Sequence, residues 1–225
     1  MTGHGPRRRG ACGRQHFIQG QGDAMELSAV LFDRDGTVIV DRHYLGSAEG
    51  VELIPGAGQA LALLHEKGLS CFLVSNQSGI GRGYFPESGW HECHARLQQL
   101  LAAFGAGFDD ARFCPHAPEE ACRCRKPAPG MWESLQKAHG LEAGRCAMVG
   151  DKAEDLLFGV NASLAASVLV LTGKGEAAAL KLGLDVPRIE REGFLAVDIP
   201  DMNAGATRLF AAKDMPSAVR GLLAV

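Results

Sequence analysis

The sequence predicts an α/β fold in which a central, mainly parallel sheet carries helices on both faces. From Met25 onward, short apolar runs alternate with amphipathic stretches, which is typical of β-α units. Several apolar runs end in polar residues. In open parallel sheets, ligands bind at the carboxyl ends of the strands, so polar residues are expected there. The chain has 225 residues, 46% of them hydrophobic, which suffices for one core. We therefore expect a single domain over 25–225.

The apolar runs and the helical spacing of apolar residues place the individual elements. Strands are predicted at 27–32, 69–74, 111–114, 146–149, 167–171, 194–198 and 207–210. Helices are predicted at 55–67, 86–104, 130–138, 153–160 and 216–223. The segment 174–215 shows no clear pattern apart from its two possible strands.

The first 24 residues have neither periodicity nor an apolar segment of the kind found in secretory signals. We predict that residues 1–24 form a disordered N-terminal extension. An alternative is that the natural start is Met25 and that the preceding residues are a mis-assigned extension.

Composition and charge exclude several classes of function. The formal net charge of −3 gives no reason to expect a nucleic-acid surface. No apolar run approaches the roughly 18 residues that a membrane span needs, so no membrane partner is expected. The cysteines number seven and follow no secretory signal, which favours a reducing cytoplasm over a disulfide framework. We expect a monomer that acts on a small molecule.

Two carboxylates directly follow the first predicted strand. Asp33 and Asp35 stand one residue apart, after the apolar run 29–32 and before Gly36. Because side chains alternate along a strand, positions 33 and 35 share a side. One carboxylate can attack phosphorus, and the other can protonate the leaving oxygen and then activate water. Taken alone, such a pair is more often an ordinary acidic turn, so its interpretation depends on the rest of the chain.

Further groups suited to phosphoryl transfer follow at or near later strand ends. Ser75 offers a hydroxyl, and Lys126 offers a cation that can neutralise charge on a transferring phosphoryl group. Asp151 lies at another strand end, where together with Asp33 it could hold Mg²⁺, which prefers oxygen ligands. Asp155 is either a partner of this metal site or a charge at a helix N-terminus.

A cluster of thiols with one imidazole predicts a zinc site. Its four residues fall within the zinc loop 114–124 and are Cys114, His116, Cys122 and Cys124. They match a closed tetrahedral Cys₃His site, so the expected Zn²⁺ is structural. Arg125 and Lys126 follow the last ligand directly, and zinc would therefore set the position of two cations.

These motifs, in this order, resemble the four motifs of the haloacid dehalogenase (HAD) superfamily of phosphohydrolases. The resemblance covers about residues 25–174 and implies a Rossmann-like HAD fold. It implies that Asp33 is the nucleophile that forms an aspartyl-phosphate and that Asp35 is the general acid and then base. Ser75 and Lys126 would stabilise the transferred phosphoryl group. The implied magnesium ligands are Asp33, Asp151 and the backbone carbonyl of Asp35.

The zinc loop and the loop after the second strand look like one branch of that superfamily, which contains heptose-bisphosphate and histidinol-phosphate phosphatases. The residues that this resemblance assigns to substrate contact are Asp41, Arg42, His43, Tyr44, Asn76, Gln77, Ser78, Arg125 and Lys152. Among them, Arg125 is suited to a distal phosphate, because a guanidinium can bind a phosphate with two parallel hydrogen bonds.

The substrate within this branch depends on two sets of loops. The segments 41–44 and 76–83 resemble the heptose enzymes, whereas the short spacing from His116 to Cys122 is nearer the histidinol-phosphate enzymes. We expect removal of the 7-phosphate of D-glycero-D-manno-heptose 1,7-bisphosphate, in the synthesis of lipopolysaccharide precursors. Histidinol phosphate is the alternative substrate. A non-catalytic zinc-loop binding module is the alternative of another class, and the presence of all the acids and Lys126 argues against it.

The intervals between the motifs predict an open site. About 40 residues separate Asp35 from Ser75, and about 50 separate Asn76 from Lys126. A helix with its connections, or the zinc loop, already uses each interval, so no large cap domain is expected. Specificity must then come from short loops at 41–50, 77–86 and 114–126.

Overall fold

The computed structural model describes Met1 and residues 25–225. Its centre is a sheet of seven strands: β1 (Ala29–Phe32), β2 (Ser70–Asn76), β3 (Asp110–Cys114), β4 (Cys146–Gly150), β5 (Ala166–Val170), β6 (Phe194–Ala196) and β7 (Arg208–Ala212). Apart from Met1, the extension predicted at 1–24 lies outside the described residues. The division of the chain at residue 25 therefore stays a prediction.

The order of the strands is β3-β2-β1-β4-β5-β7-β6, and every neighbouring pair is parallel except β6 with β7. The chain builds outward from β1 to one side through β2 and β3. It then crosses back to place β4 on the other side of β1. Such a reversal leaves a crevice at the carboxyl end of the central strand, where open sheets of this kind bind ligands.

Eight α-helices connect these strands in the described part of the chain. They are α1 (Ala57–Glu66), α2 (Ser78–Gly81), α3 (Glu87–Ala102), α4 (Gly130–His139), α5 (Ala153–Asn161), α6 (Gly175–Lys181), α7 (Val186–Glu192) and α8 (Met215–Leu222). Short 3₁₀ turns occur at Ala48–Gly50, Pro118–Glu120 and Ala143–Arg145.

The helices cover both faces of the sheet, as the side chains of β1 show. Val30 and Phe32 pack into a hydrophobic cluster with residues of α1, α3 and α8. Ala29 and Leu31 pack into a second cluster with Trp132 of α4 and residues of α5. All four β1 residues are fully buried. A strand buried on both faces reads as a continuous apolar run, which is why this strand was predictable. The predicted fold class is confirmed.

The sequence prediction missed three helices. Helices α6 and α7 have seven residues each and α2 has four, so none is long enough for a clear apolar periodicity. The N-terminus of α7 is capped by Asp185, whose carboxylate accepts a hydrogen bond from the backbone N–H of Arg188. That cap was a usable signal in a segment where the apolar pattern is weak.

The segments that directly follow β1 and β2 form only short regular elements before the next long helix begins. A 3₁₀ turn is the one regular element between β1 and α1, and α2 is the one between β2 and α3. No cap domain is present in this part of the chain, as expected. None of the helices in residues 25–225 has both the length and the apolar character needed to cross a membrane.

Candidate active site

Asp33 lies at the carboxyl end of β1 and is 3% exposed. Its Oδ1 is 2.9 Å from Nζ of Lys126, and its Oδ2 accepts a hydrogen bond from Nζ of Lys152 at 2.9 Å. Burial alone would raise the pKa of Asp33, but the two ammonium groups outweigh burial and hold this pKa well below its usual range. Asp33 is therefore an ionised carboxylate at neutral pH.

Lys126 reaches this carboxylate from the end of the zinc loop. Its backbone is fixed by Asn76, whose Oδ1 accepts from the Lys126 N–H at 2.9 Å and whose Nδ2 donates to the Lys126 carbonyl at 3.1 Å. Its Nζ donates to the carbonyl of Val74 at 2.8 Å and lies 2.7 Å from Asp155. Burial opposes the charged form, but Asp155 and Asp33 raise the pKa of Lys126. The lysine is a buried, permanently charged group.

Asp151 completes a cluster of acids at the ends of β1 and β4. Oxygens of Asp33, Asp151 and Asp155 all lie within 4.8 Å of one another. Burial and the neighbouring Asp33 raise the pKa of Asp151 to about 7. A Cβ added at Gly36 would lie 2.1 Å from Oδ2 of Asp151, so a glycine is required where that loop passes the cluster. Hard carboxylate oxygens grouped in this way fit Mg²⁺.

Lys152 points into the acid cluster rather than along the pocket wall. Its Nζ donates to Oδ2 of Asp33 at 2.9 Å, to the backbone carbonyl of Asp35 at 3.2 Å and to Oδ1 of Asp151 at 2.6 Å. Its backbone N–H donates to Oδ2 of Asp155 at 3.0 Å, which caps α5. Asp155 therefore caps the N-terminus of α5 and pairs with Lys126 beside the acid cluster.

A network of buried side chains holds Asp35. Arg34 is 1% exposed and donates to both carboxylate oxygens of Asp35 at 3.1 Å, and Nε2 of Gln77 donates to Oδ2 at 2.9 Å. The same Gln77 nitrogen donates to Oγ of Ser75 at 2.7 Å. Sequence reasoning missed Arg34. The one available signal was a cation between two carboxylates, and it does not show which way the side chain turns.

The acids open into a cavity of about 340 Å³. Among the residues predicted for the site, those that line it are Asp33, Asp35, Asp41, His43, Tyr44, Asn76, Gln77, Ser78, Arg125, Lys126 and Lys152. Ser75 and Asp151 are buried and are not among the lining residues. Arg42 does not line the cavity either, and its exposed guanidinium pairs with Glu52. The structure thus brings all the predicted catalytic and magnesium residues together and leaves Arg42 outside.

Cations that the sequence analysis did not assign also line this cavity. Arg82 follows α2 and donates to Glu119 of the zinc loop at 3.2 Å. Lys174 pairs with Asp41 across 3.4 Å. Arg125, which the sequence analysis did assign to substrate contact, lines the same cavity, and its buried Nη1 has no hydrogen-bond partner among the described residues. A cavity lined by these groups suits a ligand with more than one negative charge.

Two of the loops at the mouth of the cavity meet around one aromatic ring. A Cβ added at Gly46 or at Gly79 would lie 2.4 Å from the ring of Phe85, so both loops require glycine there. The rings of Tyr44 and Tyr84, one from each of these segments, also pack edge to face with centroids 4.6 Å apart. The loops predicted to set specificity therefore pack on each other.

The predicted zinc ligands lie together at the end of β3. Sγ of Cys114 is 3.4 Å from Sγ of Cys122 and 3.5 Å from Nδ1 of His116, and that nitrogen is 3.2 Å from Sγ of Cys124. One atom from each residue lies within 4.8 Å of the others. Three sulfurs and one nitrogen at these separations fit a tetrahedral Zn²⁺.

Comparisons with known proteins match this chain to a family model and to curated relatives. A HAD-hydrolase-like family model matches residues 123–191. D-glycero-beta-D-manno-heptose-1,7-bisphosphate 7-phosphatase of Haemophilus ducreyi is 40% identical over 157 residues, which are 67% of this chain and 86% of that protein. The protein of the same name from Yersinia pestis is 40% identical over 165 residues, 68% of this chain and 88% of that one.

A solved structure agrees with these relatives. The crystal structure of D,D-heptose 1,7-bisphosphate phosphatase from B. bronchiseptica, complexed with magnesium and phosphate, superposes with a TM-score of 0.73 and 29% identity. The match covers 88% of this chain and 99% of that one. The fold and the site thus define a phosphatase of the HAD type, a hydrolase of phosphoric monoesters. The chain belongs to the HAD superfamily, within the family that contains these 7-phosphatases, and the predicted resemblance is confirmed.

Proposed function

We propose that this phosphatase removes the 7-phosphate of D-glycero-D-manno-heptose 1,7-bisphosphate with the help of Mg²⁺. One observation carries the proposal: an ionised Asp33 lies between two ammonium groups in a cavity that is itself lined by further cations. The identity of the sugar in this proposal is taken from the relatives, which are named as phosphatases of heptose bisphosphate. The product would enter the synthesis of activated heptose for lipopolysaccharide or a similar surface glycan.

The proposed reaction begins with the carboxylate of Asp33, which attacks phosphorus and forms an aspartyl-phosphate. Asp35 is oriented by Arg34 and Gln77, and its carboxyl group protonates the sugar oxygen as the bond between that oxygen and phosphorus breaks. Asp35 then takes a proton from the water that attacks the aspartyl-phosphate, which releases inorganic phosphate and regenerates the Asp33 carboxylate. Lys126, beside Asp33, neutralises charge on the phosphoryl group. Ser75 lies behind Gln77 and contributes its hydroxyl to the same network.

The proposed magnesium ligands are Asp33, Asp151 and the backbone carbonyl of Asp35. Their oxygens lie close enough together to share one bound cation, because all three accept hydrogen bonds from the same nitrogen of Lys152. A bound Mg²⁺ would supply the positive charge that lets an anionic nucleophile approach an anionic phosphate.

The second phosphate of the substrate is proposed to lie toward the rim of the cavity, near Arg125 and Arg82. Arg125 directly follows a zinc ligand, and its buried Nη1 has no partner among the described residues. Within residues 25–225, the one ion-pair partner of Arg82 is Glu119, a side chain that is 70% exposed. An exposed ion pair contributes little, so an incoming phosphate can replace it.

The catalytic role of Asp33 is tested by Asp33→Asn. We expect no measurable hydrolysis, because an amide cannot attack phosphorus to form the acyl-phosphate. The circular dichroism spectrum should remain that of a folded α/β protein. The matched control is Asp110→Asn, which changes a carboxylate on β3 outside the cavity and should retain turnover. Turnover by Asp33→Asn would remove this residue as the nucleophile.

The substrate is tested by comparing kcat/KM for both anomers of the heptose bisphosphate with kcat/KM for histidinol phosphate, in the presence of Mg²⁺. We expect a strong preference for the heptose bisphosphate. A preference for histidinol phosphate would overturn the proposed substrate but leave the reaction class intact. Absence of turnover on every phosphate monoester would instead favour the non-catalytic binding module.

We also propose that the enzyme acts as a monomer in the cytoplasm. The six cysteines that the structure describes form no disulfide of the kind that an oxidising compartment favours. Light scattering during size-exclusion chromatography would test the monomer.

A further inference from the structure

The side chain of Lys152 lies among the acidic residues at the ends of β1 and β4. Its Nζ makes three hydrogen bonds, to Oδ2 of Asp33, to Oδ1 of Asp151 and to the backbone carbonyl of Asp35. An ammonium group has three donors, so this arrangement uses all of them. The three accepting oxygens belong to the residues that the proposed function assigns to Mg²⁺.

The acid cluster needs a cation at this point. Asp151 is fully buried, and Asp33 is 3% exposed, so water cannot screen the repulsion between their carboxylates. Lys126 neutralises the other side of Asp33 and does not reach Asp151. Among the described residues, Lys152 therefore provides the one ammonium group that bridges both carboxylates.

A magnesium ion bound to the same oxygens cannot share them with the lysine. Mg²⁺ requires its ligands at about 2.0–2.1 Å in a nearly octahedral arrangement, which leaves no space for a nitrogen bonded to the same three oxygens. The two cations also repel each other strongly where water is excluded. The side chain of Lys152 is 29% exposed and lines the cavity, so it has space to move outward.

We propose that Lys152 is a tethered cation that competes with Mg²⁺ for the acid cluster. In the metal-free protein, its ammonium group keeps the buried carboxylates together. Binding of Mg²⁺ expels this group into the cavity, where it can bind the phosphate of the substrate. The lysine thus links two events: when Mg²⁺ occupies the acid cluster, an additional ammonium group becomes available in the cavity to bind phosphate. This inference rests on the proposed magnesium site.

The competition is tested by titrating Mg²⁺ into Lys152→Met in a calorimeter, after dialysis against a magnesium-free buffer that leaves zinc in place. We expect the dissociation constant of Mg²⁺ to fall by about tenfold or more, since the metal no longer has to displace a bound cation. The rise in melting temperature on adding Mg²⁺ should be larger than in the unchanged protein. An equal or higher dissociation constant would overturn the inference.

The matched control is Lys174→Met. Lys174 is a second lysine at the same cavity, but its Nζ pairs with Asp41 rather than with the cluster. Its bond to the cluster is made by its backbone N–H, which donates to Oδ2 of Asp151 at 2.8 Å and which the substitution keeps. We expect its Mg²⁺ dissociation constant to stay within about twofold of the unchanged value, because no ligand oxygen loses a cation.

A second measurement uses the unchanged protein, in case Lys152→Met does not fold without metal. Acetylation of lysines by an activated ester is followed by mass spectrometry with and without saturating Mg²⁺. We expect labelling of Lys152 to increase when Mg²⁺ is added, while labelling of the half-exposed Lys174 stays constant. Equal labelling of Lys152 in both conditions would overturn the inference. An unchanged protein that binds no Mg²⁺ would contradict the proposed magnesium site as well.

Discussion

Lys126 carries a buried ammonium group between two buried carboxylates. The exposed fraction of the side chain alone is 2% for Lys126, 5% for Asp33 and 1% for Asp155. Burying three charges costs free energy that the ion pairs and the hydrogen bond to Val74 must offset. Such an arrangement stabilises the fold only while it is complete. Removal of the cation leaves two carboxylates in a site without solvent.

We expect Lys126→Met to lower the free energy of unfolding by about 3–5 kcal/mol, because it leaves buried charges unpaired. Urea denaturation at pH 7, followed by circular dichroism, measures this change. The control is Lys137→Met, which removes an exposed lysine of α4. Its free energy of unfolding should change by less than about 0.5 kcal/mol. Equal effects of the two substitutions would show that the ion pairs around Lys126 contribute nothing.

At the same scale, the sequence named most of the residues that the structure brings together around the acid cluster, but not how they pair. Asp33, Asp151 and Lys126 were predictable because each lies at or near the end of an apolar strand or before a helix. The clamp of Arg34 on Asp35 was not predictable, since a charged residue beside two acids is normally solvated. The direction of Lys152 also depends on tertiary packing, which the spacing of residues does not reveal.

At the scale of elements, the zinc loop connects three parts of the site. The N–H of Gln77 donates to the carbonyl of Cys114 at 2.7 Å, and that of Gly81 in α2 donates to the carbonyl of Pro115 at 2.8 Å. Arg125 and Lys126 follow the loop directly. Because its four candidate ligands are close in sequence, their spacing alone predicted the cluster. The contact with α2 was missed together with that short helix.

We expect Cys124→Ala to reduce the zinc content and to raise KM, because Arg125 then loses a fixed position. Atomic absorption measures the metal, and initial rates at several substrate concentrations measure KM. Removal of zinc from the unchanged protein by a chelator should have the same effect. Cys146→Ala is the control, since this buried cysteine of β4 lies outside the cluster and its substitution should leave the zinc content unchanged. Unaltered kinetics in a zinc-free protein would contradict the proposed role of the loop.

At the scale of the whole molecule, the first and last residues of the segment 25–225 meet. The N–H of Met25 donates to the carbonyl of Val225 at 2.7 Å, and α8 packs its buried face into the cluster that contains α1. The sequence predicted this architecture because its buried strands are strongly apolar. It predicted 174–215 poorly, because α6 and α7 are short and bury few residues.

We expect a chain that begins at Met25 to have the same urea midpoint and the same kcat/KM as the full chain. The core and the cavity are formed by residues 25–225, and an N-terminal ammonium at Met25 can still donate to Val225. Side-by-side denaturation and initial-rate measurements provide the test. A clear loss of stability or activity would assign a role to residues 1–24 and would contradict the predicted domain boundary.

The position of β1 between β2 and β4 also constrains how the enzyme folds. Asp35 and Lys152 are 117 positions apart in the chain, and they meet only after β1 and β4 have paired. Parallel pairings between distant segments are intrinsically slow, because the chain loses the entropy of a long loop before it gains the contacts. A nascent chain therefore has no acid cluster until β4 has been synthesised and has crossed back over β1. Partly synthesised chains therefore lack the complete set of carboxylates that is proposed to hold Mg²⁺.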